Sequence, residues 1–360
     1  MRPHSWIVLG LILLGLVARL CVQGHYGPLE WPDAVPHGNY ILFVYYHETI
    51  PTSATPLRQD DPTNDYENIQ APLYYILAAG VLASSLAMSA SGLEGVRNVR
   101  WFSVALWLAG CVLFWRACAR FLIGGIGQVT AVGFYCLLPG WIWISCAVSN
   151  DALLVFLACL LLWVLSRTTI SIWAVTLVCV AAIATKFSGA LLVVLPVVLF
   201  VYRREWWGAA AVAGSSAVAL GLLIWRNLVC FGDMTGQGAV APVYDRPFLH
   251  IIKRHVQGFV LAWNQDRVLN YEWYLLWPSI VTGIAILVWF CPRILRSRAV
   301  ARQRVAALTS GVVLVLAVAA NLIHATTDGV APGRLSYVAL PALCFYIAAG
   351  IAANTQKRTP

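Results

Sequence analysis

The chain has 360 residues, of which 60% are hydrophobic and only 11% charged, and its mean hydropathy is +0.76. Soluble domains carry roughly 25% charged residues, so a soluble enzyme, a disordered chain, a coiled coil and a disulfide scaffold are all excluded, and an integral membrane protein is indicated. The net charge of +9 does not point to nucleic acid, because its arginines fall in short connections between apolar runs and not on one soluble face.

Apolar runs of the length that crosses a bilayer, about 17–25 residues, predict spans near 5–22, 99–121, 127–147, 151–166, 170–185, 187–202, 206–229, 274–292, 305–325 and 336–353. The first run ends at Arg19 without a small-residue cleavage site, which fits an uncleaved signal anchor. Segment 71–88 is weaker and rich in Ala and Ser. Basic residues gather at Arg116/Arg120, at Arg203/Arg204, from Arg293 to Arg304, and at Lys357/Arg358. Placing these connections in the cytoplasm makes the spans alternate from 99 onward, and leaves 14 of the 15 acidic residues outside, all but Glu205. On that assignment segment 71–88 dips in or lies along the interface; the alternative is a crossing with one violated basic turn. The ten cysteines show no C-x-x-C and read as small buried hydrophobes.

Two long loops then face outward. The first, 23–70, carries seven of the acids. The second, 230–273, contains a stretch at 247–260 with Phe248, Ile251, Ile252, Val256 and Phe259 on one helical face and His250, Lys253, Arg254 and Gln257 on the other. Such a helix suits anionic headgroups, or a lid packed on the bundle.

The polar residues of these outer segments are the candidates for chemistry. Asp33 and His37 are spaced to share a helical face, and a carboxylate with an imidazole can accept a proton or bind a divalent cation. Asp65-Tyr-Glu67-Asn-Ile-Gln70-Ala-Pro72-Leu-Tyr74-Tyr75 sets acids before a Pro-led apolar helix. Ser149-Asn150-Asp151 opens a span, where such residues cap free amides. Lys186, Arg226 and Arg334 are cations at outer helix ends, against the trend of the other basic residues. Cations so placed either snorkel to headgroups or face an anionic ligand such as a phosphate.

Taken in order, these motifs resemble the GT-C membrane glycosyltransferases, in particular bacterial relatives of the protein mannosyltransferase and aminoarabinose transferase group. They are the apolar helix ending near Arg19, Asp33-x-x-x-His37, Tyr66-Glu67-x-x-Gln70-x-Pro72-Leu-Tyr-Tyr75, Ser149-Asn150-Asp151, Thr185-Lys186, Arg226-Asn227 and Gly333-Arg334. The resemblance covers about 5–353. It implies an all-α, polytopic helical bundle of about 10–11 transmembrane helices, one GT-C-like domain over 1–360 with a long catalytic first exoplasmic loop. It also implies an enzyme of the bacterial cytoplasmic (inner) membrane with an outward-facing site, moving a sugar from a polyprenyl-phosphate donor to a lipid, glycan or protein acceptor, with inversion.

By the same resemblance Asp33 and Asp151 are the catalytic carboxylates, Lys186, Arg334 and Arg226 face the donor phosphate, and His37, Glu67, Gln70 and Tyr74 contact substrate or a divalent cation (Mg, Mn or Zn). The sequence departs from many relatives in reading Asp33-Ala34 for Asp-Glu and Ala71-Pro72 for Pro-Pro, and it ends soon after the last span, without the C-terminal domain of larger members. The competing readings are a transporter or lipid flippase, which predicts ionisable groups near the midplane, and a non-catalytic subunit derived from a transferase.

Overall fold

The computed structural model describes residues 3–27, 34–52, 66–87, 92–121, 125–234, 289–295, 301–328 and 337–355, and all of the regular structure among them is helical. Asp33, Arg334, the 247–260 stretch and most of the span expected at 274–292 lie outside the described residues. We number the helices α1 (Pro3–His25), α2 (Ala34–His47), α3 (Leu73–Ala87), α4 (Gly92–Phe121), α5 (Gly125–Leu137), α6 (Pro139–Ile144), α7 (Asn150–Ser166), α8 (Ile172–Thr185), α9 (Val194–Tyr202), α10 (Trp206–Phe231), α11 (Ala301–Asp328) and α12 (Leu340–Thr355). Short 3-10 turns at Tyr66–Ile69 and Phe187–Val193 precede α3 and α9.

Among the described residues, four segments are long and apolar enough to cross a membrane: Pro3–His25, Arg97–Phe121, Trp206–Phe231 and Gln303–Ala320. Shorter apolar helices pack with them. At the centre is α7, with 14 of its 17 residues buried. A helix apolar all round cannot face water on any side, so α7 is the post on which the bundle is assembled. Exposed tryptophans lie toward both ends of the bundle, Trp173, Trp206, Trp207 and Trp289 beside the arginine-rich connections and Trp101 and Trp225 toward the other end, the places amphipathic rings take at bilayer surfaces.

Two elements depart from the expected spans. The span expected at 127–147 is divided into α5 and α6, because Pro139 pushes Leu138 to an extended ψ of 116°. The interruption is closed by a side chain from α1. Arg19, fully buried, donates from Nε to Ser145 Oγ (2.7 Å) and from Nη1 to the carbonyls of Cys136 (3.0 Å) and Gly15 (2.9 Å), with its guanidinium 3.7 Å from the Trp107 ring centroid. Arg100, also buried, donates to the carbonyls of Cys146 (3.1 Å) and Tyr26 (3.0 Å). These buried cations close helix ends, an arrangement favoured by the backbone dipole.

The second departure is in the first loop, where α2 forms a helix that was not expected. Its Pro36 sits in the first turn, where a missing N–H does no harm. Segment 71–88 is indeed helical, but it does not run the length of the bundle. Tyr74 stacks on Phe102 (centroids 6.5 Å apart), and Gly95 lies against Leu82, so α3 runs antiparallel beside the first turns of α4. Arg100 lies level with the end of α1, so α3 and the start of α4 extend past that end.

Substituting Arg19→Met leaves the Cys136 carbonyl and Ser145 without their donor. The expected loss is about 1–3 kcal/mol, read as a lower melting temperature of the detergent-solubilised protein. An unchanged melt would show that the interruption at Pro139 closes without Arg19.

Candidate functional site

The sequence candidates that fall among the described residues meet at one end of the bundle, opposite Arg203 and Arg204. Ser149 caps α7, accepting from the Asp151 N–H at 3.2 Å. Because Ser149 takes the capping duty, the neighbouring Asn150 and Asp151 side chains are turned to other partners. At the far end of α8, Lys186 is the residue where the helix stops, with an extended φ of −161°. Gly189 then packs so tightly that a Cβ there would collide with the Ala182 carbonyl. The head of α7 and the tail of α8 are thus brought together, and Lys186 Nζ lies 2.7 Å from Asp151 Oδ1 with both side chains buried.

The turn 66–70 closes one side of this pair. Asn150 Nδ2 donates to Gln70 Oε1 at 3.4 Å. Glu67 is buried, with Oε2 3.4 Å from the Tyr75 hydroxyl, and that hydroxyl lies 2.8 Å from His37 Nδ1. The Tyr75 ring stacks on Tyr40 at 3.8 Å between centroids. Arg226, on α10, donates to the carbonyls of Pro51 (3.0 Å), Asn68 (2.9 Å), Ile69 (3.2 Å) and Gln70 (3.2 Å). Sequence reasoning chose Tyr74, which is buried against Phe102 and near Ser149 and Asp151, and did not single out Tyr75, which meets His37 and Glu67. The two are adjacent in one motif, with ring centroids 5.5 Å apart.

Burial governs the protonation of the loop residues. Glu67 is pushed up to about 7, chiefly by desolvation, with Lys186 pulling the other way. His37 is pushed down to about 3, again chiefly by desolvation, with Lys186 adding to the effect. The 3.8 Å approach of His37 Nδ1 to Glu67 Oε2 is therefore not an ion pair at neutral pH, because the imidazole is uncharged. The two side chains are linked instead through the Tyr75 hydroxyl, which lies within hydrogen-bond distance of both.

Among the described residues no group of three or more His, Cys, Asp or Glu is gathered to hold a metal. His37 and Glu67 approach each other, but the Asp151 oxygen that would complete a set faces Lys186. Among the described residues the set is therefore incomplete.

The all-helical bundle, with its long apolar helices, is that of a polytopic membrane protein, and its fold is similar to that of solved ArnT structures. The solved structures it matches include ArnT from Cupriavidus metallidurans bound to undecaprenyl phosphate, at 18% identity and a TM-score of 0.56, covering 100% of this chain and 61% of that one. ArnT from the same organism in the apo state matches at 18% identity and a TM-score of 0.51, covering 99% of this chain and 60% of that one. The chain thus spans about three-fifths of the length of those proteins. No family model matches it, and no curated protein matches it in sequence.

The buried pair yields a stability test. Lys186→Met or Asp151→Leu alone strands a buried charge and is expected to lower stability by about 3–5 kcal/mol, whereas the double variant recovers most of the loss. Additive losses in thermal melts would show that the two charges act independently.

The pH dependence has two opposed parts. The raised Glu67 value favours the folded state at low pH; that stabilisation is complete below about 4.5 and is lost as pH rises through about 7. The depressed His37 value stabilises the folded state above about 6.5, and this is lost as pH falls towards about 3. Melts of Glu67→Gln from pH 5 to 8 are expected to lack the alkaline-side fall seen in the unsubstituted protein; equal slopes would refute the assignment.

Proposed function

We propose that the protein is a glycosyltransferase that moves a sugar from a polyprenyl-phosphate donor to a lipid, glycan or protein acceptor, with its site at the outer face of the bacterial cytoplasmic membrane. The observation that carries this reading is the buried Lys186–Asp151 pair beside Glu67, at the arginine-poor end of a GT-C-type bundle. The undecaprenyl phosphate held by the ArnT structure supports a donor of that class.

Transfer in one displacement needs two things from the chain. The acceptor hydroxyl must lose its proton to a carboxylate as its oxygen attacks the anomeric carbon. The bond from that carbon to the phosphate oxygen must break, with the electron pair leaving on the phosphate. A positioned base contributes about 10²–10⁴-fold, and cations at the leaving group stabilise charge where it develops. Asp33 is assigned as the base, being outside, close behind α1 and spaced to share a site with His37. Lys186 has two N–H groups beyond the one directed at Asp151, and with Arg334 it is assigned to the departing phosphate. Asp151 holds Lys186 in place. His37, Glu67 and Gln70 line the acceptor side. With no covalent enzyme intermediate, the anomeric centre inverts.

The test is turnover of a panel of polyprenyl-phosphate sugars by purified protein, comparing Asp33→Asn, Asp151→Asn, Glu67→Gln and Glu30→Gln. Asp33→Asn is expected to lose about 10²–10⁴-fold in rate with an unchanged melt. Near-normal turnover in that variant, beside an inactive Glu67→Gln, would transfer the role of base to Glu67. Failure of the unsubstituted protein to turn over any donor would refute the reading.

A further inference from the structure

Arg226 lies five residues before the end of α10 and 156 residues from Gln70 in sequence, yet its guanidinium is built into the first loop. Nη1 donates to the carbonyls of Ile69 and Gln70, both at 3.2 Å, and to Asn227 Oδ1 at 3.4 Å. Nη2 donates to the carbonyls of Pro51 at 3.0 Å and Asn68 at 2.9 Å. The two Nη nitrogens carry four N–H groups in a fixed planar fork, and five acceptors surround them. The fork is saturated. The remaining donor, Nε, is buried without a partner. A cation that bound a phosphate would direct its fork at the anion; this one directs it at the carbonyl end of the turn that carries Glu67 and Gln70.

The geometry points to Arg226 as a positioning residue for the transfer reaction, acting through the 66–70 turn and not on the donor phosphate. It joins two parts of the loop, Pro51 and 68–70, to the end of a long helix. The turn in turn sets Gln70 against Asn150 and Glu67 against Tyr75. The role in transfer rests on the function proposed above; the clamp itself does not.

The experiment uses the full chain in lipid nanodiscs, with Arg226→Gln, Arg226→Lys and Arg226→Ala. Three quantities are read: amide exchange at 68–72, titration with undecaprenyl phosphate, and transfer kinetics. Exchange at 68–72 is expected to rise about tenfold in Arg226→Gln, with exchange in α7 unchanged. Arg226→Lys keeps the charge but not the fork, so it is expected to behave like Arg226→Gln. Affinity for undecaprenyl phosphate and KM for the donor stay within about twofold while kcat falls about 10–100-fold, since a misplaced group slows the step without weakening binding. Ethylguanidinium added to Arg226→Ala restores part of kcat.

Unchanged exchange at 68–72 would overturn the proposal, as would loss of undecaprenyl phosphate binding with kcat preserved at saturation. If the unsubstituted protein neither binds the lipid phosphate nor turns over a donor, the functional reading fails, and the exchange measurement still decides whether Arg226 is the clamp.

Discussion

The arrangement of the end of the bundle that gathers the candidate residues depends on one buried ion pair. Lys186 and Asp151 are both nearly inaccessible and 2.7 Å apart. Neither charge would be tolerated there alone, because the penalty for an unpaired buried ion exceeds what packing around it returns. The pair therefore fixes the head of α7 to the tail of α8. Since α7 is the buried centre of the bundle, a displacement of the pair would be felt by every helix that leans on it. The same two charges set the electrostatic surroundings of Glu67 and His37, so the scaffold and the site share one interaction.

The site is assembled from places where regular helix stops. Pro139 ends α5, Lys186 ends α8, and the 66–70 turn precedes α3. Stopping a helix inside an apolar bundle exposes carbonyls that water cannot reach. In each case an arginine or a local backbone bond supplies the donor: Arg19 at Cys136, Arg100 at Cys146, Arg226 at residues 68–70, and the Gly189 N–H at the Lys186 carbonyl. The buried arginines that a transporter would use for a substrate path are accounted for here by helix ends.

Much of this was legible in the sequence, for identifiable reasons. Hydropathy located α7 and α10 to within a residue or two, because continuous apolar runs leave few alternatives. It overlooked the stop at Pro139, since a hydropathy window averages over one proline even when the backbone cannot. It overlooked α2 because 23–70 was treated as one acidic loop, although 34–47 is largely apolar with a proline in its first turn. Placing Asp151 and Lys186 on the same side was correct, and the head of one antiparallel helix necessarily meets the tail of the next. Their direct pairing, and the protonation of Glu67, depend on burial, which spacing along a chain does not encode. Arg226 reads in sequence as an outward cation; only the fold reveals the carbonyls around it.

The short reach of α8 has a consequence for the surrounding lipid. Its 14 residues, with Trp173 just inside one end and Lys186 closing the other, extend only about 21 Å at 1.5 Å per residue. A hydrocarbon core is about 30 Å thick. Trp173 and Leu177 are exposed on its flank, so lipid lying against α8 meets an apolar length that is too small for it. Such a mismatch is relieved by local thinning of the bilayer. Thinning on this side draws the leaflet at that end of α8 towards Lys186 and shortens the distance between its headgroups and the buried ion pair.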